Sequence, residues 1–118
     1  MPEYPLDPEE LKRRLGKMRE GYRARVPDKI AQIEALWVRV RAAETADEDQ
    51  RNAARDELVL AAHTMGGSAP TLGCETLGVA ARALESALRE LFGRRLPLSA
   101  ADCEAVSRLI AALGRSLD

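Results

Sequence analysis

His63 is the only imidazole in the chain, and it stands in the stretch Ala61-Ala62-His63-Thr64-Met65-Gly66-Gly67-Ser68-Ala69-Pro70. An imidazole can serve as nucleophile, general base or metal ligand. A metal site needs further ligands, and the chain offers few. Cys74 and Cys103 stand alone, with no CxxC pair and no histidine beside them. Both fall at apolar-periodic positions, where a buried thiol is expected rather than a disulfide or a ligand. A His-rich metal site is excluded and no metal is expected. There is no Gly-rich nucleotide-binding loop and no second catalytic constellation. What remains is a single nucleophile with two glycines, Gly66 and Gly67, three and four residues after it. A glycine inside a helix costs roughly 1 kcal/mol against alanine, so a helix that accepts two beside its one histidine calls for a reason.

The elements that must position His63 are helices. The chain has 118 residues, enough for one small domain, with 46% hydrophobic, 31% charged and 3% aromatic residues and a net charge of −1. Such a balance gives an aliphatic core and no strong field toward nucleic acid or membrane. The basic run Lys12, Arg13, Arg14, Lys17, Arg19, Arg23 and Arg25 is interleaved with Glu9, Glu10 and Glu20, as on a solvated helix face. Asp7, Pro8 and Glu10 make a helix start with a capping box. From there an apolar stripe at spacings of three and four runs Leu11, Leu15, Met18, Tyr22, Val26, Ile30, Ile33, Trp37, Val40. Pro27 interrupts it, so the spacing predicts a first helix over about 8–21 and a second over about 26–43, separate or joined as one bent rod. Thr45 and Glu48 predict a capping box opening a third helix at about 46, which should end near Ala69, before Pro70. A fourth helix carries Leu77, Ala81, Leu84, Leu88 and Leu91 on one face and stops at Gly93. Ser99 caps a fifth, with Cys103, Val106, Ile110, Leu113 and Leu117 inward. The expected fold is all-α, an antiparallel four-helix bundle with an extra N-terminal helix. No signal peptide or spanning apolar run is present, and a cytoplasmic protein is expected.

On the third helix, Ala54, Leu58, Ala61, Met65, Ser68 and Leu72 share one face at about 100° per residue. His63 then points away from the core, with Asp56, Val59, Leu60, Gly66 and Gly67 as its face-mates. The two glycines would leave bare backbone beside the ring, room for another protein to reach it.

This stretch resembles the signature of histidine-containing phosphotransfer (HPt) domains. Ala62-His63, Met65, Gly67-Ser68-Ala69, Gly73, Leu77 and Leu84-Glu85 fall in register with the family pattern over about 25 residues. One position departs: the family commonly has Lys three residues after the histidine, where this chain has Gly66. The resemblance implies a single monomeric bundle domain over residues 1–118. It implies that His63 takes a phosphoryl group on Nε2 from a receiver-domain aspartate or a histidine kinase and passes it to another receiver. Asp56, Val59, Leu60, Gly66 and Gly67 would form the docking face. The chain would need no cofactor of its own, since the receiver brings Mg²⁺, and it would be a phosphocarrier rather than an enzyme. The residues leave a second reading open, a helical interaction module that binds a kinase or receiver without carrying phosphate.

Overall fold

The structure is a computed structural model and describes residues 7–117. Helix α1 spans Pro8–Ala42. Asp7 caps it, its carboxylate accepting from the Glu9 N–H at 3.3 Å, and Pro8 occupies the first turn. Glu10 does not complete the expected capping box; it pairs with Arg14 at 2.9 Å. Nor does the helix break at Pro27. The proline removes one hydrogen bond and costs about 3 kcal/mol in a helix interior. Against that, Tyr22, Val26, Ile30, Ile33, Trp37 and Val40 on both sides of it are all buried in one phase. Burying each such side chain is worth roughly 1.5–3 kcal/mol, so the stripe outweighs the proline. The expected accessory helix is therefore the first turns of α1. Its apolar residues Leu11, Leu15 and Met18 remain 40–56% exposed.

A 3₁₀ turn over Ala43–Thr45 leads to α2, Glu48–Thr71. The cap is Asp47, which accepts from the Gln50 N–H at 2.8 Å, and not Thr45. Helix α2 also runs through its proline, Pro70, ending one residue later. Gly73, at φ +89, makes the tight link to α3, Glu75–Gly93. Gly93 is the last helical residue but not the left-handed stop; that conformation falls on Arg95, at φ 56. Helix α4 spans Ala100–Arg115 and opens on a complete capping box between Ser99 and Asp102. Short links give antiparallel neighbours, and contacts between α1 and α2, α2 and α3, α3 and α4, and α1 and α4 close a four-helix bundle.

The core is aliphatic, with Leu58, Leu77, Leu84, Leu88, Val106 and Leu113 fully buried. Polar ties fix the register of α1. Trp37 donates from Nε1 to Ser107 Oγ at 3.2 Å, and the Tyr22 hydroxyl lies 3.1 Å from Ser68 Oγ. At the far end, Arg55 is buried against the Phe92 ring and bonds Glu44 at 2.6 Å. Burial pushes the Glu44 carboxyl up, but the hydrogen bonds from Arg55 and the Leu98 N–H outweigh it and hold its pKa below the usual carboxylate value. No helix among the described residues is long and apolar enough to cross a membrane.

Candidate functional site

The site lies on the seam between α2 and α3. That seam is built from small residues: Ala62 and Ala69 on α2 and Ala81 on α3 are all fully buried. Two glycines bring the backbones closer still. A Cβ on Gly78 would lie 2.5 Å from Pro70 Cγ, and one on Gly66 would lie 2.9 Å from Arg82 Cγ. The seam is in strict antiparallel register, each turn forward on α2 matched by a turn back on α3. Pro70 meets Gly78, Gly66 meets Arg82, and His63 meets Glu85.

Glu85 reaches His63 Nδ1 with both carboxylate oxygens, at 3.0 and 3.2 Å. Arg89, one turn along α3, donates from Nε to Glu85 Oε2 at 2.8 Å. The Arg89 hydrogen bond, with a smaller contribution from His63, holds the Glu85 carboxyl below the usual carboxylate value. An ionised carboxylate can only accept, so the Nδ1 facing it carries the proton. In the neutral ring Nε2 then keeps its lone pair. The side chain of His63 is 63% exposed. The arrangement presents an oriented nitrogen nucleophile to solvent on a rigid helix.

Of the residues expected on the histidine face, Asp56, Leu60 and Gly67 are exposed and Val59 is half-buried. Gly66 is not on that face. It is buried against Arg82 and belongs to the seam. The expected core stripe is correspondingly misplaced. Ala61, Ser68 and Leu72 are only half-buried, whereas Ala62, Gly66 and Ala69 are buried beside Ala54, Leu58 and Met65. At 100° per residue this turns the core centre by roughly 50° toward α3. The cause is the close α2–α3 approach, whose small residues carry little hydrophobic signal. Ala61, Thr64 and Ser68 instead line a groove toward α1 with Tyr22, Leu36 and Leu60. The sequence reading also missed Glu85 and Arg82 as neighbours of the site. The register was the available signal: facing residues lie equal distances before and after Cys74, in the short link.

The fold and site define a class: a four-helix bundle that displays one oriented, solvent-facing histidine. The family model for the Hpt domain matches residues 17–116, nearly the whole chain, and the chain belongs to that family. Comparison with curated proteins and with solved structures finds no match. Hpt domains are histidine phosphotransfer modules of phosphorelays, phosphocarriers rather than classical enzymes, and they interact with receiver domains and histidine kinases.

Proposed function

We propose that this protein is a monomeric, cytoplasmic phosphocarrier that takes a phosphoryl group on Nε2 of His63 from a receiver-domain aspartate or a histidine kinase and hands it to another receiver. The observation that carries the reading is the Glu85–His63 pair, which fixes the proton on Nδ1 and leaves the Nε2 lone pair facing solvent. In the transfer, that lone pair attacks the phosphorus of the partner's aspartyl phosphate. The N–P bond forms as the P–O bond to the aspartate breaks, and the aspartate carboxylate leaves with the electron pair. The ring becomes positively charged, and the Glu85 carboxylate, already bonded to Nδ1–H, stabilises that charge. Such transfer depends on in-line positioning and neutralisation of charge rather than on covalent chemistry by the carrier. The receiver contributes the aspartate, the Mg²⁺ and a lysine. Asp56, Val59, Leu60 and Gly67 form the surface it meets.

The test is phosphate stability after incubation with a phosphorylated receiver or kinase. The wild type should acquire acid-labile, alkali-stable phosphate. His63→Gln should fold normally, because an exposed position tolerates substitution, and should acquire none. Label persisting on that variant refutes the assignment. Gly66 in place of the family lysine favours the second reading, a binding module without phosphate. That reading holds if the wild type binds receivers but stays unlabelled.

A further inference from the structure

Among the described residues, Arg55 is the one charged side chain buried in the fold, only 7% exposed. Its guanidinium has five N–H donors. Nη2 donates to Glu44 at 2.6 Å, and the Nε–H is buried with no acceptor at all. A buried donor left unpaired is costly, and native structures hold few of them. Glu44 does not close the gap by chelating the fork, because its second oxygen accepts instead from the Leu98 N–H at 3.2 Å. The Phe92 ring, 4.8 Å from the guanidinium carbon, holds the group in place but leaves its in-plane donors free.

This side chain lines a cavity of about 370 Å³ between the turn after α1, helix α2 and the α3–α4 link. Arg51, one turn earlier on α2, and Arg95, from the link, stand on its other walls. Among the described residues neither has a carboxylate within 4.0 Å; Arg51 reaches only the Ala46 carbonyl, at 3.5 Å. Arg95 stands where the chain turns left-handed, at φ 56, a conformation that glycine adopts freely and arginine does not. Two carboxylates share the cavity, Glu48 and the already paired Glu44. Three guanidiniums against two carboxylates leave one positive charge in excess. Phe92 and Leu96, the latter 63% exposed, supply an apolar wall.

We propose that this cavity binds a small organic anion, a carboxylate or phosphate monoester on a compact apolar body. Its oxygens would sit among Arg51, Arg55 and Arg95, and its body against Phe92 and Leu96. The volume suits such a molecule, and the planar arginine fork meets carboxylate and phosphate oxygens in pairs. Arg55 lies two turns before His63, about 12 Å along the axis of α2, and the inference does not rest on the phosphotransfer reading. An anion seated there ties the α1–α2 turn to the α3–α4 link.

The experiment titrates the purified protein with benzoate, phenyl phosphate and inorganic phosphate, each against sodium chloride at equal ionic strength. The readouts are the Arg55 Nε–H resonance in ¹H–¹⁵N NMR spectra and the thermal melt. Benzoate or phenyl phosphate should move the Nε–H signal downfield as it gains an acceptor, with a Kd of about 1 mM, and should raise the melting temperature by mass action. Whichever binds tighter names the head group. Arg51→Gln should weaken binding about tenfold, the loss of one charge-assisted hydrogen bond, and melt like the wild type. Arg95→Gly should weaken it by a similar factor while melting at or above the wild type, because glycine relieves the left-handed backbone. Loss of binding without loss of stability separates a ligand site from a structural arginine cluster. Shifts no larger than those of sodium chloride, or binding unchanged in both variants, overturn the proposal. Inorganic phosphate binding as tightly as phenyl phosphate overturns the assignment to an organic anion.

Discussion

Gly78→Ala should destabilise the bundle, against the helix propensity of the residues exchanged. An exposed helical glycine replaced by alanine gains up to about 1 kcal/mol. At position 78 the new methyl carbon would stand 2.5 Å from Pro70 Cγ and 2.7 Å from Cδ, where ordinary contact begins at 3.4 Å. The pyrrolidine ring has no rotamer into which to retreat. Its backbone is also tied, with Gly73 N–H bonded to the Pro70 carbonyl and Cys74 N–H to that of Ala69. Helix α3 must therefore shift by something approaching 1 Å. Overpacking costs about 1–3 kcal/mol; a contact this short against a ring belongs to the upper part of that range, about 2–3 kcal/mol, leaving a net loss of about 1–2 kcal/mol after the propensity gain. For a domain of this size that lowers the melting temperature by roughly 3–10 °C. Gly67→Ala is the matched control, because nothing within 4 Å would meet a Cβ there. It should be as stable as the wild type or gain up to about 1 kcal/mol. Thermal melts and urea titrations of the two variants decide the matter. If Gly78→Ala proves as stable as Gly67→Ala, the close α2–α3 approach is not what this account takes it to be.

Three further outcomes are expected. Gly67→Gln should keep its melting temperature, while its long side chain, one turn from His63, removes most transfer from a receiver and spares uptake from phosphoramidate; undiminished receiver transfer counts against the docking face. Trp37→Ala should cost about 3–5 kcal/mol in urea titration, the range for emptying a large buried aromatic, and a loss under about 1 kcal/mol would contradict its burial between α1 and α4. Glu44, Glu85 and Asp102 all have pKa values lowered from their ordinary 4.5, 4.5 and 3.8. The unfolded chain therefore binds more protons in that range, and stability should be full above about pH 5 and fall as the pH drops through the lowered folded values. Glu44→Gln should flatten that acid limb and cost about 2–3 kcal/mol at neutral pH, because it leaves Arg55 buried without its partner; an unchanged acid limb would sink this account.

The apolar stripes of α1, α3 and α4 were legible because large aliphatic and aromatic residues at helical spacing report burial directly. Tyr22 through Val40, Leu77 through Leu88, and Val106 through Leu113 all lie inward as the pattern predicts. The Ser99 cap was equally plain. Two prolines fall under the same local rule, which predicts a helix end before Pro70 and either a break or a bend at Pro27; at both, tertiary contact carries the helix through. At Pro70 the compensation is an arginine from another helix, Arg82, whose guanidinium donates to the Gly66 carbonyl; no local pattern contains it. The phase of α2 was misread because its tightest interface is made of Ala and Gly, residues whose burial stabilises through close approach more than through apolar area. The exposure of His63 survived that error, since the true core centre remains about 130° away by helical arithmetic. Its pairing with Glu85 did not emerge, because it depends on interhelix register.

His63 sits two-thirds of the way along a 24-residue helix, with its ring open to solvent and its proton already placed. A nucleophile so mounted has no valve. Loop-borne or lidded sites can be throttled by the rate at which they open; a ring on a rigid rod is available at every encounter. On the function proposed here, traffic through this protein would then be governed from outside, by the abundance of charged and uncharged partners and by how well each fits the surface around the ring. The phosphorylated fraction would settle as a running ratio of donors to acceptors, making the molecule a reversible conduit rather than a switch with a memory of its own.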